Sequence, residues 1–144
     1  MKKLFLALML VMSSSALASA EKSPTWKYVE DYYNLNDNTS VTIYYNPRNA
    51  QVLAETKRVL MWVLLDVSNE GSVADFREYN CEKNKYRALK TIVYQLPMGE
   101  GNVLDTKVVK HSAEAPWIQI TPETYEADLS KLACKYLNLP AIKQ

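Results

Sequence analysis

Residues 57–67 read KRVLMWVLLDV. In an extended chain successive side chains point to opposite faces. Val59, Met61, Val63, Leu65 and Val67 therefore fall on one pleat face, and Leu60, Trp62 and Leu64 on the other. A strand apolar on both faces belongs in the interior of a sheet, with something laid over each side. This run alone demands strand neighbours on both edges and cover on both faces.

The flanking segments supply the neighbours. TWKYVEDYY (25–33) and TSVTIYYN (39–46) are rich in Tyr, Val, Ile and Thr and are separated by the turn-forming LNDN, so both are predicted strands. NPRNAQ (46–51) is expected to be a loop. NEGS closes the central run, and VADFREYNC (73–81) follows as a strand with Tyr79 and Cys81 on one face. After a break near 83–85, YRALKTIVYQL (86–96) continues in extended form. Pro97, Gly99 and Gly101 mark a turn, and NVLDTKVVK (102–110) is the hairpin partner of the strand before it.

The cover on one face comes from the C-terminal segment PETYEADLSKLACKYL (122–137). Tyr125, Leu129, Leu132, Ala133 and Tyr136 recur at helical spacing, with Asp128, Lys131 and Lys135 opposite. Thr121 is available as N-cap and Pro122 suits the first turn. An amphipathic helix seated on the sheet is expected, with Cys134 near the edge of its apolar arc.

The first twenty residues, MKKLFLALMLVMSSSALASA, place two lysines before an apolar run and end in Ala-Ser-Ala, the order of a secretory signal. The apolar run falls well short of the roughly 20 residues a membrane-spanning helix needs, so residues 1–20 are expected to be a removed signal and 21–144 a single exported domain, in the periplasm or at the cell surface. Lys2 and Lys3 belong to that segment, so of seventeen basic residues fifteen remain against sixteen acidic. Such near-neutrality argues against nucleic acid as a partner.

Export also gives Cys81 and Cys134 their meaning, because oxidising compartments favour disulfides. Two cysteines allow one pairing. It closes a loop of about fifty residues, for which chain entropy gives roughly 4 kcal/mol of stabilisation. A metal site is the competing reading, but the chain has no CxxC spacing and no histidine near either cysteine. The bond would staple the last helix to the sheet.

The order of these landmarks resembles the surface-adhesin protein E family of exported bacterial proteins. The residues that carry the resemblance are Trp26, the 59–67 run around Trp62, Tyr79-Asn80-Cys81, Lys85-Tyr86-Arg87, Gly101-Asn102-Val103, then Trp117-Ile118-Gln119-Ile120 leading into Pro122, and Cys134. The resemblance implies an α+β fold, a single antiparallel sheet of about six strands with the C-terminal helix packed on one face and tied by the disulfide. It also implies a non-enzymatic binding protein whose partners are host matrix or serum glycoproteins of the laminin and vitronectin class. The chain departs from the family's namesake in having no cysteine just after the signal to carry a lipid. A second reading is therefore a periplasmic interaction module with another ligand, homodimeric through the apolar sheet face opposite the helix.

Lys83, Lys85, Arg87 and Lys90 crowd into KNKYRALK. They are the candidate partner-binding residues, an electrostatic docking patch for acidic glycoproteins; the alternative is a strand edge guarded by lysine against aggregation. The tryptophans are read as core rather than as a ligand platform, and Tyr28, Tyr32, Tyr33, Tyr44 and Tyr45 as either half-buried packing or a recognition surface. His111 stands in a polar loop without a GxSxG elbow or free thiol to serve. The acid pairs Glu30 with Asp31 and Glu123 with Glu126 suit strand ends and a first helical turn. No catalytic residue, metal or cofactor is expected.

Overall fold

The central run is strand β3 (Arg58–Val67) of an antiparallel sheet, in a computed structural model that describes residues 26–138. The predicted signal, 1–20, lies outside the described residues. The strands follow one another across the sheet in chain order: β1 (Lys27–Asn34), β2 (Thr39–Leu53), β3, β4 (Gly71–Asn80), β5 (Lys85–Leu96) and β6 (Glu100–Val108). A two-residue strand, β7 (Ile118–Gln119), pairs with Lys85 and Tyr86 at the start of β5, whose later residues pair with β6. One α-helix, α1 (Tyr125–Lys135), follows, and a 3-10 turn, Tyr136–Asn138, ends the described residues. This is the expected α+β architecture.

The chain has only three glycines, so most of its reversals use other residues. Asn38, Asn69 and Asn84 adopt positive φ in the turns after β1, β3 and β4, a conformation that Asn tolerates better than most L residues. The break near 83–85 is therefore a tight hairpin: the chain reverses, and β5 lies beside β4. Asn80 Oδ1 accepts the Lys83 N–H across this turn at 3.0 Å. Cys81 sits just beyond the end of β4, at the start of the turn.

NPRNAQ is not a loop outside the sheet. It lies within β2 as a bulge, where five residue steps from Asn46 to Gln51 answer two in β3 from Trp62 to Leu60. Pro47 cannot donate to a ladder and is tolerated at such an irregularity. Asn46 Oδ1 accepts the Arg48 N–H at 3.0 Å and holds the detour.

Odd-numbered β3 residues face α1. Val59, Met61, Val63 and their sheet neighbours Ile43 and Tyr79 are fully buried against Leu129 and Ala133 of the helix, with Ile120 at one side. Each such side chain taken from water contributes about 1.5–3 kcal/mol. The helix begins later than the sequence suggests. Glu123 takes a positive φ of 62°, which a helix cannot contain, and Thr124 becomes the N-cap, its hydroxyl accepting the Ala127 N–H at 3.4 Å. Thr121 instead accepts the Thr124 hydroxyl at its carbonyl. The disulfide joins Cys81 to Cys134 with 5.8 Å between Cα atoms, fixing the helix to the β4–β5 turn.

The even-numbered face of β3 has no helix, and the chain covers it piecemeal with its own connections. The turn Pro97–Gly99 folds back over one end: Met98 N–H reaches Asp66 Oδ1 at 2.8 Å and Gly99 N–H reaches Ser72 Oγ at 2.9 Å. Leu64 beneath is fully buried. Trp117 covers the other end.

Candidate binding face

Strand register decides which side chains share the helix-free face. Leu60, Trp62 and Leu64 of β3 stand opposite Glu78, Phe76 and Ala74 of β4, and these in turn oppose Arg87, Lys90 and Ile92 of β5. Arg58 and Lys85 flank Asn80 at the end of the same rows. Of the four candidate basic residues, the structure thus brings Lys85, Arg87 and Lys90 to this one face, while Lys83 lies exposed in the adjoining turn.

Arg87 has a different environment from the lysines. It is only 6 % exposed; its Nε donates to Glu78 Oε2 at 2.7 Å and its Nη1 to the Ser112 carbonyl at 2.6 Å. Arg58 Nη1 reaches the other oxygen of Glu78 at 3.1 Å. Trp117 roofs both guanidinium groups, with its ring centroid 4.2 Å from Arg87 Cζ and 5.3 Å from Arg58 Cζ. A guanidinium can stack on an aromatic face and bind a carboxylate at once, which an ammonium cannot match. Two cations against one carboxylate leave this cluster with a net positive charge, and Lys85 and Lys90 add theirs at its margin. Arg87 thereby builds the face, and the half-buried lysines carry the charge a partner would meet.

Aromatic residues fill the rest. Trp62 packs on Phe76 with ring centroids 5.2 Å apart. Trp26, just before β1, reaches across the bulge of β2 to share a cavity of about 160 Å³ with Trp62 and Tyr94. The tyrosine cluster of β1 and β2 is divided by alternation. Tyr28 meets Tyr44 edge-on at 6.2 Å, on the helix-free side by register, whereas Tyr32 meets Tyr125 of the helix at 6.0 Å and Tyr45 packs on the core. All three tryptophans of the chain belong to the helix-free face, and none joins the core beneath α1.

The other singled-out residues lie elsewhere. His111 is exposed in the connection after β6. Glu30 faces the helix, where burial first and then Asp128 and Glu126 push its carboxyl up from the usual range. Asp66, under the Pro97–Gly99 turn, is also raised by burial, against the Met98 N–H that lowers it. A larger hollow of about 440 Å³ flanks the disulfide between the 81–84 turn and α1, away from the aromatic and basic residues. Among the described residues no group of His, Cys, Asp and Glu is placed to hold a metal ion.

Glu78 and Arg58 belong to the candidate face but are missed by a reading along the chain, because their meeting depends on the β3–β4 register. The signal available in the sequence was parity: Arg58 shares its pleat face with Leu60 and Trp62.

With fold and face in place, the decisive comparison is a family match over residues 26–135, from Trp26 through the disulfide to the end of α1. The chain belongs to the surface-adhesin protein E family. No curated protein and no solved structure matches it. The family points to an exported protein with an adhesive, binding role rather than a catalytic one. Among the described residues no helix is long and apolar enough to cross a membrane.

Proposed function

We propose that the chain is an exported, non-enzymatic binding protein that recognises host matrix or serum glycoproteins of the laminin and vitronectin class through the face α1 leaves open. The observation that carries this reading is the register. It gathers Lys85, Lys90 and the Trp117-roofed arginine cluster onto the same side of the sheet as Trp62, Trp26 and Tyr94. Aromatic residues and arginine are the types enriched at protein interfaces, and lysines at the margin steer acidic partners. Residues 1–20 act as the removed signal and 21–144 as the mature domain.

The test is surface plasmon resonance on immobilised laminin and vitronectin at two salt concentrations. Binding is expected, and it weakens as the Debye length falls from about 10 Å at 0.1 M to about 3 Å at 1 M. No binding at micromolar protein removes the reading. Surface protease shaving of intact cells then separates a surface pool from a periplasmic one.

One observation favours the assembly-module alternative. β6 is a sheet edge exposed along its whole length, with Val103 and Leu104 more than half exposed. A free edge is a template for pairing with another chain. Concentration-dependent sedimentation supports that alternative, and a strictly monomeric profile removes it.

A further inference from the structure

The cavity between Trp26, Trp62 and Tyr94 is the most specific feature of the helix-free face. Ala74, 3 % exposed and small, lines it from the sheet, and Asn46 and Asn49 line it from the β2 bulge. The Trp62 ring is buttressed by Phe76 at 5.2 Å. Asn46 is 1 % exposed, and its Oδ1 accepts the Arg48 N–H at one lone pair, so its amide offers a ligand the Nδ2 donor and the second lone pair of Oδ1. Asn49 brings a second amide, which can both donate and accept.

These features select a chemistry. The lining holds three aromatic rings, two amides and the aliphatic Ala74 and Ile92, with no basic or acidic side chain, so the cavity provides nothing to neutralise a phosphate, sulfate or carboxylate. At about 160 Å³ it is smaller than the roughly 300–1,000 Å³ of sites for drug-sized ligands. An uncharged pyranose ring has the matching character: a face of C–H groups that lies against an aromatic ring, and a rim of hydroxyls that need donors and acceptors. The bulge explains the placement. Asn46, the last residue paired with β3 before the bulge, stands opposite Trp62, and the extra residues carry Asn49 out of the regular ladder to the same cavity that Trp26 lines.

We propose that this cavity is a subsite for a single neutral sugar ring, held by Trp26, Trp62 and Tyr94 and oriented by Asn46 and Asn49. The inference deepens the reading of the chain as a glycoprotein-binding adhesin and rests on it for the source of the sugar, the exposed glycan of the partner.

The experiment follows the three indole N–H resonances of the ¹⁵N-labelled mature protein during titration with methyl glycosides of galactose, mannose and N-acetylglucosamine. A one-ring ligand binds with a dissociation constant on the order of millimolar, given how little affinity so few atoms can supply. The expected result is a saturable shift of Trp26 and Trp62 with at least one glycoside, while Trp117 stays still. Asn49→Ala, at the exposed bulge, weakens that binding at least about tenfold. Trp26→Ala, at the edge of the fold, abolishes it with the near-ultraviolet dichroism of the disulfide and core retained.

No saturable shift with any glycoside overturns the proposal, as does binding untouched by Asn49→Ala or a stronger response to adenosine than to every sugar. A parallel arm compares vitronectin before and after enzymatic deglycosylation. Equal binding to both forms with no glycoside response leaves the adhesin reading standing and ends the sugar subsite. Glycoside binding with no glycoprotein binding does the reverse.

Discussion

Glu78 is the residue on which the helix-free face depends most. Its carboxylate, 5 % exposed, bridges Arg58 and Arg87. Removing one partner of a buried ion pair leaves the other charge uncompensated and costs about 3–5 kcal/mol. Glu78→Ala is therefore expected to lower unfolding stability by that amount in urea titration; a loss under about 1 kcal/mol would show that water screens Arg87. Glu30 behaves in the opposite sense. Its Oε1 is buried without a partner among the described residues, and burial together with Asp128 and Glu126 raises its folded pKa above the ordinary 4.5. The folded state then holds this proton more tightly than the unfolded state. The contribution is complete below the ordinary value and is lost as pH rises through the folded one. Glu30→Gln is expected to raise the melting temperature at neutral pH, with the gain vanishing in acid; an equal effect at both ends of the range would exclude titration as the cause. Residue-level roles were the least legible part of the sequence. KNKYRALK announces its charge plainly, but nothing local distinguishes Arg87, which the hairpin turns onto Glu78, from Lys85 and Lys90 beside it.

At the scale of elements, two devices hold the architecture. The Cys81–Cys134 bond spans 53 positions, and its loss is expected to cost roughly 4 kcal/mol on the chain-entropy account. Chemical unfolding with and without reductant measures it, and helix amides of α1 should lose protection from exchange before those of β3. Gly71 opens β4 with a φ of 109°, and a Cβ there would stand 2.4 Å from the Tyr94 carbonyl oxygen. Neither the conformation nor the space admits a side chain. Gly71→Ala is expected to destabilise by at least about 2 kcal/mol through strain and displaced β5 backbone, read from the shift in the urea midpoint. Elements were the most legible scale, since two-face hydrophobicity located β3, helical spacing located α1, and two cysteines in an exported chain located the staple. The exceptions have physical reasons. Pro47 reads as a loop signal wherever it occurs, and only the partner strand makes its neighbourhood a bulge. Thr121 and Thr124 are equally good caps until Glu123 takes a positive φ.

Over the whole molecule, the meander separates two jobs. One face of the sheet takes the helix and the disulfide and forms the main core; the other is covered at its two ends by short connections, stays accessible between them, and collects all three tryptophans with a net positive margin. The apolar second face anticipated from β3 is therefore real, but its cover comes from Trp117 and the Pro97–Gly99 turn within the same chain. Sequence alone could not foresee this, because both covers arrive from segments distant along the chain and are placed only by the register of β4 and β5. Recognition is expected to follow the open face. Two double charge reversals with the same change in net charge separate it from the rest of the surface: Lys85→Glu with Lys90→Glu on that face, and Lys131→Glu with Lys135→Glu on the outer side of α1, where both lysines are exposed. Measured by surface plasmon resonance on vitronectin, the first pair should lose at least about tenfold in affinity, a change worth about 1.4 kcal/mol, while the second stays within about threefold of the unaltered protein. Equal losses from both pairs, or a larger loss from the helix pair, would contradict the assignment of binding to the helix-free face.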